Sequence, residues 1–108
     1  MTYERQKELL AQAKFSDMHD NAELGTRTLY FDASKELVTH RYPNAESTDI
    51  SVEFPLNEPE AYNAHVMFGP VRAYPDGSGF ETYDWDTVYL PDEDIKALMD
   101  MAEKAMKE

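Results

Sequence analysis

The residues with the most evident capacity for chemistry are five carboxylates between positions 83 and 96, in the stretch YDWDTVYLPDEDIK. They are Asp84, Asp86, Asp92, Glu93 and Asp94, and two tyrosines and a tryptophan stand among them. Carboxylates this close together can bind a cation, share acid–base work or attract a basic surface. Which of these chemistries applies depends on the elements that hold them.

A calcium-binding loop is the first of these chemistries, and the spacing does not support it. Asp84 and Asp86 fit the first two positions of an EF-hand loop. The glycine position of such a loop is Tyr89, however, and the closing glutamate position is Ile95. A loop without that turn and that bidentate ligand does not enclose calcium.

Histidine and cysteine, the usual metal ligands and nucleophiles, offer no recognisable site either. The chain has no cysteine, and none of its three histidines stands at i+3 or i+4 from another. His19 stands between Asp17 and Asp20, which leaves a cation or acid–base role open at that one place. Phosphate loops and nucleophile elbows do not occur. We therefore predict no catalytic residue, no cofactor and no metal ligand.

The apolar pattern predicts an α+β fold, in which an antiparallel sheet of about five strands is flanked by an N-terminal and a C-terminal helix. Helices are predicted over 3–14, capped by Thr2, and over 91–108, where apolar residues recur at helical spacing. Residues 16–25 are predicted to form a polar loop. The predicted strands are 27–33, 36–42, 49–54, 65–74 and 80–90. The short connections between them indicate antiparallel pairing within a single domain over residues 1–108.

The last predicted strand explains why carboxylates and large aromatics are neighbours in the sequence. Alternation along a strand puts Tyr83, Trp85 and Tyr89 on one face, and Asp84 and Asp86 on the other. Large aromatic side chains favour burial, so we predict that Trp85 is largely buried and that the two aspartates project into solvent.

The net charge is −12, from 22 acidic and 10 basic residues, and it is unevenly distributed. Residues 43–95 contain twelve acids and one base, Arg72, whereas the remainder of the chain is close to neutral. Binding to nucleic acid or to an anionic membrane is driven by lysine and arginine, so direct binding to either is not expected. A basic protein surface or a cation remains as the complementary partner.

The first hypothesis is a small acidic binding or inhibitor protein that presents one carboxylate surface to a basic partner protein. The predicted partner-binding residues are Asp49, Glu53, Glu81, Asp84, Asp86, Asp92, Glu93 and Asp94. In composition and size the chain resembles phage-type DNA-mimic inhibitors of restriction or CRISPR enzymes, and acidic immunity proteins that block basic nucleases. That resemblance implies that the partner is a nucleic-acid-binding enzyme.

Two alternatives stay open at this point. One is a small ligand-binding domain or enzyme with an aromatic-lined pocket between the helices and the sheet, lined by Tyr83, Trp85, Tyr89 or His65. The other is an accessory domain whose acidity serves solubility alone. The absence of cysteine and of an N-terminal apolar segment leads us to expect a cytoplasmic protein. The sequence does not indicate an oligomeric state.

Overall fold

The chain begins and ends in a helix, and six strands lie between the two helices. The computed structural model describes residues 1–108. Helix α1 spans Tyr3–Ala11 and helix α2 spans Asp92–Lys107. The strands are β1 Lys14–Asn21, β2 Thr26–Ala33, β3 Ser47–Pro55, β4 His65–Ala73, β5 Phe80–Thr82 and β6 Asp86–Val88. Short turns of 3-10 helix lie at Lys35–Leu37 and Ala61–Asn63.

All six strands join one antiparallel sheet in the order β1-β2-β3-β4-β5, and β6 also pairs with β4. Strands β5 and β6 therefore follow one another along the outer edge of β4, and β1 forms the opposite edge. The predicted α+β fold, with an antiparallel sheet and two terminal helices, is confirmed. Neither helix has the length and apolar composition that crossing a bilayer requires.

Both helices pack on one face of the sheet and bury its apolar residues. Phe31 on β2 and Ile50 on β3 are fully buried there, against Leu9 of α1 and Leu98 of α2. Ile50, Val52 and Phe54 alternate into the core as the sequence predicts. No helix covers the other face of the sheet, which we call the open face.

Both terminal helices are confirmed, although α1 ends earlier than predicted. The side chain of Thr2 accepts a hydrogen bond from the backbone nitrogen of Arg5 at 3.1 Å, which caps the helix start. The helix ends at Ala11 because the chain must be extended from Lys14 onward to pair with β2. This pairing places the ring of Phe15 at 5.9 Å from the ring of Phe31, edge to face.

The prediction of a polar loop over residues 16–25 is wrong, because most of this segment is strand β1. Phe15 and Met18 both pack against the core, and a bulge between Phe15 and Asp17 allows this. The polar composition that suggested a loop suits an edge strand, since charged side chains on an edge prevent pairing with other chains. Only the end of the segment, up to Gly25 at φ 67°, forms the predicted turn.

The predicted strand over residues 36–42 is also wrong, because this segment forms a 3-10 turn and further turns over the core. The side chain of Ser34 caps the turn by accepting from the backbone nitrogen of Glu36 at 3.1 Å. Leu37 and Val38 are consecutive, yet both are buried in the core. A strand would send one of two consecutive side chains to the opposite face, so burial of both favours a turn.

The predicted strand over residues 80–90 is interrupted by a bulge at residues 83–85. Val71 pairs with Thr82 and Phe68 pairs with Asp86, so three residues of the last segment face only Gly69 and Pro70 on β4. Pro70 cannot donate a ladder hydrogen bond, which favours a break opposite it. The extra residue reverses the alternation, and Asp86 therefore lies on the opposite face from the one predicted.

Candidate functional site

The open face of the sheet carries four carboxylates that make no ion pair within the chain. Residues directly opposite each other in a sheet lie on the same face, so the strand register defines the members of this face. They include Lys14, Asp17, His19, Thr28, Tyr30, Asp32, Asp49, Ser51, Glu53, His65 and Met67. Four of these residues are carboxylates, and only Lys14 carries a full positive charge.

Two of the eight predicted partner-binding residues lie on the open face. Asp49 and Glu53 project from β3 there, and neither has a basic side chain within ion-pair distance. The hydroxyl of Thr28 is 3.5 Å from Glu53 Oε2, a long contact that leaves this carboxylate nearly free. Alternation with the buried Ile50, Val52 and Phe54 puts both side chains on this face.

Three other predicted residues near the outer edge of β4 are occupied by contacts within the chain. Glu81 accepts from Arg72 Nε at 2.7 Å. Asp86 pairs with Arg41 at 3.0 Å, on the face that the helices cover. Asp84 accepts from the hydroxyl of Tyr42 at 2.6 Å, and this hydrogen bond lowers the pKa of the carboxyl. The carboxylates at this edge thus already have partners.

The three predicted acids at the start of α2 lie beside helix α1. The hydroxyl of Tyr3 donates to Glu93 at 3.0 Å, and Lys7 Nζ lies 3.8 Å from Glu93 and 3.9 Å from Asp94. Burial and this hydrogen bond raise the pKa of Tyr3 to about 12. Asp94 is only 5% exposed, and Asp92 remains in the first turn, where the helix dipole favours it. Glu93 and Asp94 thus link the start of α2 to α1.

The prediction of one continuous negative patch is therefore wrong. The structure divides its members among the open face, the outer edge of β4 and the start of α2. The bulge at residues 83–85 is the physical reason, since it turns Asp86 away from the side of Asp49 and Glu53. A strand-borne row of carboxylates spaced like the phosphates of a nucleic acid is not formed either, because Asp84 lies outside any strand.

Two carboxylates of the open face were missed at the sequence level. Asp17 lies on β1, which was predicted as a loop, so no alternation could be assigned to it. Asp32 lies on β2 opposite Asp49, and alternation with Leu29 and Phe31 within the predicted strand could have placed it. His19 also lies on this face, separated from Asp20, whose carboxylate binds Arg27 on the other face at 2.7 Å.

Asp49 is the carboxylate of the open face whose ionisation the fold affects most. Burial raises the pKa of Asp49 above its usual range, and the facing charge of Asp32 raises it further. The hydroxyl of Thr82 donates to Asp49 and acts in the opposite direction. The negative charge is thus held where solvation is incomplete and where a like charge faces it.

An aromatic cleft lies beside these carboxylates on the open face. Tyr30, Met67 and Trp85 form its walls, and Ser51 lies between them at the floor. The volume of the cleft is about 240 Å³. We call it the Trp85 cleft, and its rim is formed by Thr28, Glu53 and His65.

A close approach of chain segments positions Trp85 over the sheet. A side chain at Gly69 would place its Cβ 2.8 Å from the carbonyl oxygen of Asp84 and 3.0 Å from Cε3 of Trp85. Glycine is therefore required at this position so that the bulge can fold onto β4. Trp85 is half-buried there, on the open face and outside the core that the helices cover.

Of the aromatics predicted to line a pocket between the helices and the sheet, only Tyr89 does so, in a pocket of about 440 Å³ with Gln6 of α1 and Phe68 of β4. Trp85 and His65 line a cleft on the opposite side of the sheet. Tyr83 packs edge to face on Tyr42 at 5.7 Å, under the guanidinium of Arg72 at 4.5 Å. Tyr89 is 93% exposed, although it lines its pocket.

A larger groove of about 720 Å³ runs between α2 and the chain after β3, and most of its charged side chains form ion pairs within the chain. Arg27 pairs with Asp20, and Lys96 pairs with Asp100 at 2.9 Å. A charged ligand would have to displace these ion pairs. The open face, where the carboxylates have no such partners, is the stronger candidate for binding.

Neither a metal cluster nor a known relative identifies this site. No three histidine, aspartate or glutamate side chains are arranged so that they could hold a metal ion. Comparison of the chain with protein-family models, curated protein sequences and solved structures gives no match.

Proposed function

We propose that this chain is a binding protein that docks through its open face onto a basic surface of another protein. The charge balance of that face carries the proposal. Asp17, Asp32, Asp49 and Glu53 make no ion pair, and Lys14 is the one lysine or arginine among them. Nine of the 22 acidic side chains do make ion pairs, and those lie mostly elsewhere.

The electrostatics of this face favour a partner of opposite charge. Asp32 and Asp49 repel each other across the strands, and a cation placed between them would relieve that repulsion. Charges of one sign on an exposed face also steer an oppositely charged protein during approach. Four of the thirteen acids without an ion pair lie together on the one face that no helix covers, where Lys14 is the one lysine or arginine.

Nucleic-acid-binding enzymes are the partner class we favour, because their binding sites are among the most basic protein surfaces. A chain of this size that covers such a site would act as an inhibitor. This agrees with the compositional resemblance to DNA-mimic inhibitors and nuclease immunity proteins. The support is charge complementarity, and the carboxylates of the open face do not reproduce a phosphate row.

The test compares two double variants that remove the same charge from different places. Asp32→Asn with Asp49→Asn removes two unpaired carboxylates from the open face, and Glu4→Gln with Glu108→Gln removes two unpaired carboxylates outside the sheet. Each immobilised protein captures partners from lysate at low salt, and captured proteins are eluted with a salt gradient. We expect a basic protein that elutes early, binds the control variant normally, and binds the open-face variant at least about tenfold more weakly.

The same comparison separates the remaining functions. Equal binding to both variants, or a complex insensitive to salt, contradicts docking through the open face. If nothing is retained in a salt-dependent way, the acidity serves solubility, as the accessory-domain hypothesis holds. If the captured partner is not basic, the proposal that the chain inhibits a nucleic-acid-binding enzyme is excluded.

A further inference from the structure

We propose that the Trp85 cleft receives the side chain of an arginine presented by the partner. The inference deepens the proposed function and rests on it, because it names the residue that the partner inserts into the open face. Three properties of the cleft support it: its size, its aromatic and acidic lining, and a hydroxyl at its floor.

The size of the cleft suits one side chain. Its volume of about 240 Å³ lies below the range of roughly 300–1,000 Å³ that is typical of pockets for whole small-molecule ligands. The small residue Ser51 gives the cleft its depth, because its cross-strand neighbours Tyr30 and Met67 are both large. A long, narrow side chain can therefore reach the floor between two walls.

The walls and rim suit a guanidinium in particular. Trp85 and Tyr30 line the cleft, and a planar cation stacks favourably on aromatic rings. Glu53 stands at the rim, and a carboxylate accepts two parallel hydrogen bonds from a guanidinium. His65 is the cross-strand neighbour of Glu53, but its Nε2 is 2.9 Å from the hydroxyl of Thr87. Glu53 is thus left without an internal cation.

Ser51 offers a hydroxyl at the floor of the cleft that an entering polar group can contact. The residue is 8% exposed, and its hydroxyl is not among the buried polar atoms that lack a partner, which are Thr26 Oγ1 and Asp94 Oδ2. An arginine supplies five N–H donors in a fork, enough for Ser51 at the floor and for Glu53 at the rim.

The test uses three capped amino acids as probes, added to the full chain at constant ionic strength. N-acetyl arginine methylamide carries the proposed group, the citrulline analogue has the same shape without the charge, and the lysine analogue has the charge without the plane. Binding is followed by amide chemical shifts and by the fluorescence of Trp85, the only tryptophan of the chain. We expect a millimolar Kd for the arginine probe, binding several-fold weaker for lysine, and binding at least about tenfold weaker for citrulline.

Variants assign the binding to the cleft. Glu53→Gln should weaken the arginine probe by about tenfold, and Ser51→Val should abolish binding by filling the floor. Ser47→Val is the matched control, since Ser47 lies on the same strand and face but does not line the cleft. Valine is favoured in strands, so both valine variants should fold, and Ser51→Ala tests the loss of the hydroxyl alone.

Several results would overturn the inference. Equal binding of the arginine and citrulline probes, lysine binding more tightly than arginine, or an unchanged Kd in Ser51→Val and Ser51→Ala each contradicts an arginine in this cleft. The partner assay keeps the two proposals apart. If Ser51→Val binds the partner normally while the Asp32 and Asp49 variant does not, the cleft inference fails and open-face docking stands. If the probe binds the cleft and the Asp32 and Asp49 variant retains the partner, docking through those carboxylates fails. The cleft then remains a site for an arginine side chain.

Discussion

Asp32 and Asp49 lie directly opposite each other on β2 and β3, and both carboxylates project from the open face. Like charges in such a cross-strand pair destabilise a sheet by about 0.2–1 kcal/mol. Burial adds to the cost of the charge on Asp49, as its raised pKa indicates. The folded chain therefore holds a charge that weakens its own sheet, at the position where we propose that a basic partner docks.

Replacing Asp49 with asparagine should stabilise the protein at neutral pH by about 0.5 kcal/mol. The amide oxygen still accepts from Thr82, so only the charge is lost. Because the pKa of Asp49 is raised by folding, its ionised form opposes folding above that value, and the penalty disappears as the pH falls. Urea denaturation at several pH values should show an advantage of Asp49→Asn at pH 7 that vanishes in acid.

Asp20→Asn is the matched control, and its effect on stability should have the opposite sign. Hydrogen bonds from Arg27 lower the pKa of Asp20, so its ionised form favours folding above the ordinary pKa and this contribution is lost in acid. Asp20→Asn should therefore be less stable than the native protein at pH 7. If Asp49→Asn also lowers the stability at pH 7, the charge of Asp49 does not destabilise the folded protein and the prediction is contradicted.

A methyl group at Gly69 should loosen the bulge that holds Trp85 over the sheet. The new Cβ would collide with the carbonyl oxygen of Asp84 and with Thr82, and a backbone atom cannot rotate out of the way. We expect Gly69→Ala to lose roughly 1–3 kcal/mol of unfolding free energy and to shift the emission of Trp85. Native stability with unchanged fluorescence would show that the bulge does not pack on β4 as described.

The alternation of apolar residues was sufficient to predict the fold class and the elements of the covered side. Ile50, Val52 and Phe54 on β3, and the apolar stripe of α2 that includes Leu98, point into one core as their spacing indicates. Strand β1 could not be predicted in the same way, because an edge strand with one half-buried face carries few apolar residues. Its polar sequence is compatible with a loop until its partner strand is known.

The candidate site was harder to predict, because it depends on one inserted residue. Without the bulge at residues 83–85, Asp86 would share a face with Asp49, and the predicted patch would be continuous. The bulge follows from pairing with Gly69 and Pro70, which lie about fifteen positions earlier. A local sequence pattern does not show which distant residues a strand pairs with. The sheet faces of Asp86 and Trp85 therefore could not be assigned from the sequence.

Tyr42 should ionise at a pH well above that of an ordinary tyrosine. Its hydroxyl donates to Asp84 at 2.6 Å and also lies 3.2 Å from Asp86, and these hydrogen bonds, with burial, raise its pKa to about 12. Folding is favoured by the protonated form, so this contribution is complete below about pH 10 and is lost as the pH rises toward 12. Carbon-13 NMR of the tyrosine ring carbons, assigned with Tyr42→Phe, measures the titration.

The double variant Asp84→Asn with Asp86→Asn tests the cause of that shift. An amide accepts a hydrogen bond less strongly than a carboxylate and carries no charge, so Tyr42 should then titrate closer to the ordinary value of about 10. Tyr3 provides an internal reference, because its pKa of about 12 arises from burial and Glu93 at the start of α2. A Tyr42 titration near 10 in the native protein would contradict the contacts that anchor the segment before β3 to the outer edge.

Trp85 should contribute to a surface rather than to the core, and its replacement should be tolerated. The side chain is half-buried on the open face, outside the core that contains Phe31. We expect Trp85→Ala to lose about 1–2 kcal/mol of unfolding free energy, whereas Phe31→Ala, at a fully buried position, should lose about 3–5 kcal/mol. Acrylamide should quench the fluorescence of Trp85 in the native protein to an intermediate degree, more than a fully buried indole and less than in the unfolded chain. A loss for Trp85→Ala as large as that for Phe31→Ala, together with protection from acrylamide, would place the indole in the core and remove a wall of the Trp85 cleft.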